Sequence, residues 1–441
     1  MKRLILSLSA LAAVIIASAQ VKAPRAEWRF NAKNTAHYIE KGHYHAAVGQ
    51  GEIEFVGKKA TAVATGRKAA NPAADNAQKG DYWLATMPAE GLKAGSVVDI
   101  WFPFLVEPSD TPQDFALEYL DGKQWKPVFA ANKKGVNCHS TTSDKWPRFA
   151  WQSVRLDNQP ADGKVQVRLR QCSKGPLKVS LYGTTHDAPK ILALDERIPS
   201  DTTRVLFIGN SYTYHNLYPL ILKEMAWYEG HYLDCNIYIH GGYTMKQHLA
   251  NHVSRETVER GGYDYAFLQD QSLHALRIGT SADMDVVGYM GKMKEQVEKH
   301  SPKVKCFIEL TWGRRDGNNA TKGKKLASLV EGYPQFFTSY KAMQDVLTAN
   351  TTAMAQKLGM GLSPVGHAWE IIRRERPDID LYSRDGSHPS YAGSYLSAAV
   401  AYLTLFGEPF KADMPARLNP ETARYLRNVA ERVVLRGEGR K

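Results

Sequence analysis

Three side chains in this sequence are of the types that make up a nucleophile, a base and an orienter. The stretch RVLFIGNSYTYHN, residues 204 to 216, sets four apolar β-formers (Val205, Leu206, Phe207, Ile208) directly before Gly-Asn-Ser, and a helix-like pattern, YPLILKEMAWYEG, follows at once. A serine at such a strand end has two readings. Asn210 or Ser211 caps the next helix by accepting hydrogen bonds from its first free N–H groups; or Ser211 is a nucleophile at the carboxyl end of a parallel strand, where open α/β sheets place their chemistry. A nucleophilic serine needs a base, and the base needs an orienter. Of the 14 histidines, one stands apart: in LYSRDGSHPSYAGSYL, Asp385 and His388 lie three residues apart in a Gly/Ser/Pro loop before a helical pattern. In a tight turn that spacing lets the carboxylate accept the proton of one imidazole nitrogen and leaves the other free. The plainer reading makes Asp385 a turn residue and His388 the residue before a helix.

The elements that would position these groups follow from the apolar pattern. Strand-like runs at 204–208, 235–239, 265–269, 304–310 and 361–365 alternate with helical patterns, for example 282–299 and 336–357. Alternation of this kind means βαβ units, a five-stranded parallel sheet and helices on both faces, with a last helical segment at 419–435 packed outside. From about Glu27 to Leu194 the grammar differs: short runs such as VVDIWFPFLV, DFALEYL, WQSVRL, KVQVRLRQC and LKVSLYG, punctuated by Gly, Pro, Asp and Asn, have the spacing of an all-β sandwich. Asp121-Gly122 is a good hairpin turn between two of them. The segment DAPKILALDERIPSDTT, with Pro189 and Pro199 as breakers, reads as the linker. The expected organisation is thus a leader at 1–19, a β-sandwich at 20–195 and an α/β domain at 196–441.

With 441 residues and 43% hydrophobic content the chain can bury large cores, which excludes a disordered class. MKRLILSLSALAAVIIASAQ has a basic start, an apolar middle and Ala17-Ser18-Ala19 before Gln20, the pattern of a removable secretory signal. It is too short for a membrane anchor, so an exported protein, periplasmic or extracellular and without a membrane partner, is expected. Four cysteines make no disulfide scaffold. Cys138 and Cys172 are a candidate pair, whereas Cys235 and Cys306 sit in apolar runs as expected buried thiols. Neither a CxxC nor a His/Cys cluster of metal-ligand spacing stands out in the sequence. The net charge of +12 is diffuse, and without basic blocks interleaved with aromatics it does not indicate nucleic acid.

Gly-Asn-Ser after the first strand and Asp-x-x-His before the last long helix are the first and last blocks of the SGNH hydrolases, the GDSL-like esterases, and from about Arg204 to Phe406 the sequence resembles that family. The resemblance implies a flavodoxin-like three-layer domain and a Ser211–His388–Asp385 triad that needs no metal or cofactor. Asn210 departs from the family's usual Gly-Asp-Ser. The inner blocks would supply the oxyanion hole: Gly242 in IHGGYT through its backbone N–H, beside that of Ser211. Where the family commonly has Gly-x-Asn-Asp this chain has FLQDQS, so Gln271, or else Gln269, would stand for the asparagine. TWGRRDG follows the fourth strand and should open on the same sheet edge, which makes Trp312, Arg314 and Arg315 candidates for substrate contact.

The upstream half resembles the jelly-roll sandwiches appended to polysaccharide enzymes. The expected function is hydrolysis of esters on a polysaccharide or oligosaccharide, O-acetyl esters ahead of methyl esters of a uronic-acid polymer such as pectin. An inactive carbohydrate-binding protein and a lipase-like esterase or thioesterase are the competing readings.

Overall fold

The strand Thr202–Gly209 (β1) is apolar on both faces, and the fold of the second half follows from that. Val205 and Phe207 point to one side and Leu206 and Ile208 to the other, all buried, each worth about 1.5–3 kcal/mol of transfer free energy. A strand buried on both faces needs a helical layer above and below, which is the parallel-sheet solution. The computed structural model describes residues 26–65, 71–107, 113–128, 135–136, 138–140, 148–181, 190–193, 202–280, 283–317, 337, 339–412, 414 and 418–439; the expected leader lies outside them.

Four further strands, Tyr232–Ile239 (β2), Tyr265–Leu268 (β3), Lys305–Glu309 (β4) and Gly361–Ser363 (β5), pair with β1 in the order β2-β1-β3-β4-β5, every pair parallel. This is the flavodoxin-like order, with its switch point between β1 and β3. Between the strands run Ser211–Tyr214 (α1), Tyr218–Tyr228 (α2), Met245–Ala250 (α3), His252–Glu259 (α4), Val286–His300 (α5) and Tyr340–Leu358 (α6). Val365–Glu375 (α7), Tyr391–Phe406 (α8) and Pro420–Val434 (α9) complete the layers. One core gathers Val205, Phe207, Leu233 and Phe267 with α2, α7, α8 and α9. The other gathers Leu206, Ile208, Leu268 and Ile308 with α5 and Met354 of α6. Together these are the three layers expected from the sequence.

Upstream, two antiparallel sheets face each other. One runs Val48–Gly49, Ala26–Glu27, Lys190–Ala193, Val97–Glu107, Leu177–Leu181, Asn71–Ala77, Thr61–Thr65, with Arg148–Arg155 also paired to Val97–Glu107. The other runs Gln124–Pro127, Gln113–Asp121, Lys164–Gln171, Tyr82–Pro88, Glu52–Val56, His43–His45, with Cys138–Ser140 also paired to Gln113–Asp121. Their inner faces interdigitate through Trp83, Met87, Ile100, Phe102, Phe104, Phe115, Leu117, Val167 and Leu169, the alternation of a β-sandwich. The Asp121–Gly122 turn forms as expected, with Asp121 opposite Gln124 and Gly122 at φ +63°.

The sandwich also carries one helix that was not foreseen, Ala32–Lys41, capped by reciprocal Asn31 and Asn34 hydrogen bonds and closed by Gly42 at φ +79°. One expectation is corrected here. Cys172 is unpaired. Phe115 has Cys138 as its partner on one side and Gln171 on the other, so the two cysteines belong to strands on opposite sides of a third, roughly 9–10 Å apart at about 4.8 Å per strand. That is beyond the roughly 7 Å that a disulfide spans between Cα atoms. Cys235 and Cys306 are buried free thiols, as expected.

Candidate active site

Ser211 stands where β1 turns into α1, and the turn is crowded. A Cβ on Gly209 would come 2.3 Å from Thr213 Oγ1, so only glycine lets the strand pass this close to α1. Asn210 is buried and spends every polar group it has. Its backbone N–H donates to Gln269 Oε1 (3.0 Å), its side-chain oxygen accepts from Tyr212 N (3.2 Å), and its amide donates to the carbonyls of Tyr243 (3.2 Å) and Asp270 (3.1 Å). It therefore caps the helix and ties the ends of β1, β2 and β3 together. The two readings of the motif are compatible: Asn210 is the cap, and Ser211, one residue on, is left for another role.

Across the sheet edge, Ser211 Oγ lies 2.8 Å from His388 Nε2. The other ring nitrogen, Nδ1, meets Asp385 Oδ2 in a short hydrogen bond. Asp385 Oδ1 meanwhile accepts from the backbone N–H of Ser387 (2.9 Å) and of His388 (3.0 Å). One oxygen builds the turn and the other orients the imidazole, so the plain reading of Asp385 and the chemical one are also compatible. Burial works to raise this carboxyl, but the His388 ring and the two backbone donors outweigh it and hold it below the ordinary aspartate range. An ionised carboxylate on Nδ1 keeps the ring proton there and leaves Nε2 as acceptor for the serine hydroxyl.

The amides of Ser211 and Gly242 donate to no acceptor among the described residues. Gly242 sits at φ +72° with nothing within 4 Å of where a Cβ would be, a conformation that favours glycine and leaves its face open. The two glutamines differ. Gln269 is buried and turned inward: its Oε1 accepts from Asn210 N and from Thr213 Oγ1 (3.1 Å), and its amide donates to the Asp270 carbonyl. It is a strut under Ser211, its side chain buried rather than open to a ligand. Gln271 Oε1 accepts from Leu273 N (2.7 Å), and its amide has no acceptor among the described residues.

No family model matches the chain, and no curated protein is similar to it. Solved structures similar to it include SGNH hydrolases, GDSL-like lipases and family 2 carbohydrate esterases, at low identity and partial coverage. A DUF4886 family protein from Bacteroides uniformis is 17% identical, covering 54% of this chain and 96% of its own, with a TM-score of 0.44. A candidate SGNH hydrolase from Slackia heliotrinireducens is 23% identical over 46% of this chain and 100% of its own, with a TM-score of 0.37. A family two carbohydrate esterase from Clostridium thermocellum is 12% identical over 76% of this chain and 94% of its own, with a TM-score of 0.32. At these scores the chemistry rests on the side chains themselves.

Of the three residues expected as substrate contacts on the fourth-strand loop, Trp312 is turned inward. Trp312 is fully buried, sandwiched between Tyr212 (ring centroids 4.6 Å apart) and Trp369 (3.9 Å). Its indole N–H donates to the Ser387 carbonyl (3.0 Å), while Tyr212 and Ser387 share a hydroxyl hydrogen bond (2.7 Å). Trp312 thus props the histidine loop from behind. Arg315 Nη2 donates to both oxygens of Asp380 (2.8 and 2.9 Å), and its backbone N–H to the Gly386 carbonyl. Arg314 is half-buried, its backbone N–H directed at Met343 Sδ.

Sequence reasoning also missed His215, whose ring stacks on that of His388 at 4.3 Å. Burial, then the neighbouring His388, push its pKa down to about 4 against the pull of Asp385, so the stacked ring is neutral at ordinary pH. Its place four residues after Ser211 carried no signal, because the kink at Asn216 (φ +53°) that turns it back is not a sequence pattern.

Proposed function

We propose that this protein is a serine carboxylic-ester hydrolase acting on esterified carbohydrate through an acyl-enzyme at Ser211. The observation that carries the reading is the continuous line Ser211 Oγ, His388 Nε2, His388 Nδ1, Asp385 Oδ2. His388 Nε2 takes the hydroxyl proton as Oγ attacks the ester carbonyl, and Asp385 steadies the imidazolium that forms. The oxyanion is met by the N–H groups of Ser211 and Gly242 and by the Gln271 amide, each such donor being worth roughly 10²- to 10³-fold in rate. His388 then returns the proton to the leaving alcohol. Water, deprotonated by the same nitrogen, attacks the acyl carbon and releases the acid and free Ser211.

Within esters, O-acetyl stands ahead of methyl uronate. Gripping a polymer of free carboxylates would use Arg314 and Arg315 as a bidentate pair, and Asp380 already competes for Arg315 through its Nη2. The carbohydrate part of the reading rests on the sandwich joined to the hydrolytic unit, and export rests on the first nineteen residues; both belong to the same proposal.

The deciding experiment compares wild type with Ser211→Ala on a simple aryl acetate. Hydrolysis by wild type that disappears in the variant, with an unchanged melting temperature, is expected; retained activity removes Ser211 from the reaction, and an inert wild type favours the inactive carbohydrate-binding reading. Acetylated xylan and methyl-esterified pectin, offered separately, should yield acetate rather than methanol. Methanol release that falls with salt, as screening shortens below roughly 10 Å, and is lost in Arg314→Ala would reverse the order of substrates.

A further inference from the structure

The strand His43–His45 forms one edge of the seven-stranded sheet of the sandwich, far from the chemistry in the chain and served by no role described above. Alternation buries Tyr44 and turns His43 and His45 to the same outer face. The neighbouring strand runs antiparallel with Glu52 directly opposite His45. Three metal-binding side chains therefore meet on one surface. The two imidazoles lie 4.8 Å apart at their centroids, His45 Nδ1 is 3.4 Å from Glu52 Oε1, and one donor atom from each residue falls within 4.8 Å of the others. No CxxC or His-x₃-His spacing announced this, because the third member comes from another strand.

An exposed His–carboxylate pair contributes little on its own, and two imidazoles face to edge on a wetted surface add no core packing. A cation uses all three. Zinc binds imidazole nitrogen and carboxylate oxygen at about 2.0–2.2 Å in tetrahedral geometry, which sets its ligand atoms roughly 3.3–3.5 Å apart. The His45–Glu52 separation already matches that edge. The remaining closure is about 1.4 Å or less, a rotation open to side chains that are exposed or half-buried.

We propose that His43, His45 and Glu52 form a surface site for a divalent transition-metal cation of the zinc class, with water as fourth ligand. Two imidazoles and one carboxylate suit such a cation better than calcium or magnesium, which take oxygen ligands. Binding ties the edge strand to its neighbour and, because the site exists only in the folded sheet, raises the melting temperature.

The test uses full-length, tag-free protein stripped with a chelator and titrated with zinc chloride by calorimetry, beside His43→Ala, His45→Ala and Glu52→Gln. We expect one equivalent bound, a higher melting temperature in zinc, and an affinity at least tenfold weaker in each variant, while the metal-free variants melt like wild type. Cobalt(II) provides a second readout, since four-coordinate binding gives intense visible absorption that the double variant His43→Ala/His45→Ala should lose. Absence of saturable one-to-one binding, or binding that survives the double substitution, overturns the site.

Discussion

At the scale of single residues, Asp385 and Asn210 each hold two jobs that a one-atom change separates. In Asp385→Asn the side-chain oxygen can still accept from the Ser387 and His388 amides, so the turn should survive. An NH₂ group now faces His388 Nδ1 and forces the ring proton onto Nε2, which then donates where it must accept. The expected result is a fall in kcat on the order of 10³- to 10⁴-fold with little change in melting temperature, read by steady-state kinetics and thermal unfolding on the same preparation. Asn210→Asp runs the other way. Its carboxylate would oppose the carbonyls of Tyr243 and Asp270, to which the amide now donates, and a buried group stripped of its partners costs about 1–3 kcal/mol. Chemical denaturation should register that loss; an unchanged midpoint would mean that these two hydrogen bonds do not hold the strand ends. The aspartate usual at this position in the family that the sequence resembles would therefore be the wrong residue in this chain.

At the scale of elements, the histidine loop is set by what stands behind it. Trp312→Ala removes a ring stacked on both faces and should destabilise by roughly 3–5 kcal/mol. Trp312→Phe keeps most of the stack but drops the hydrogen bond to Ser387, and should lower kcat more than it lowers the melting temperature. A variant with normal kinetics would show that the loop holds itself. This is also where reading the sequence stopped short. The five strands and the long helices were legible because a strand buried on both faces must be apolar at every position, as Val205 to Ile208 are, and the Gly-Asn-Ser and Asp-x-x-His blocks lay near the two ends of the alternating strand–helix pattern. Trp312 was not legible: a loop after a strand reads the same whether its tryptophan folds inward or faces a ligand. The choice between Gln269 and Gln271 depended on where β3 ends: two residues apart, they would share a face in a continued strand, but the strand stops at Leu268 and the turn that follows separates them. The helix Ala32–Lys41 buries only Thr35 and Tyr38, too little apolar periodicity to announce itself, although Asn31 and Gly42 bracket it as caps.

Between elements, the Tyr218 hydroxyl donates to Glu309 Oε2 (2.6 Å), joining the start of α2 to the end of β4. Burial raises that carboxyl to about 7, with the tyrosine hydrogen bond pulling the other way. A carboxyl whose folded pKa is raised binds its proton more tightly in the native state. Its stabilising effect is complete below the unfolded value near 4.5 and is lost as pH rises through about 7. Stability should therefore decline across that window by up to roughly 3 kcal/mol, and Glu309→Gln should flatten the decline. Urea midpoints measured from pH 5 to 8 decide it: an equal slope in wild type and variant would mean that Glu309 is ionised in the fold.

At the scale of the whole molecule, the apolar side chains fall into separate cores, that of the sandwich around Phe102, Leu117 and Val167 and those on the two faces of the parallel sheet. Each half buries its own core and pairs its own strands, while the sandwich strand Arg148–Arg155 lies close to β2; separate cores are the condition under which a domain unfolds as its own cooperative unit. Leu117 is fully buried and stands in register with Leu169 across the sandwich strands, so Leu117→Ala should cost about 2–5 kcal/mol where it sits. If the halves are independent, calorimetry will resolve two transitions. The substitution will lower one and leave the other in place, and ester hydrolysis below the lower transition will be unchanged. A single transition that moves as a whole would mean that the sandwich and the hydrolytic unit share their stability, and a drop in kcat without unfolding would mean that the sandwich shapes the site it was read as merely accompanying.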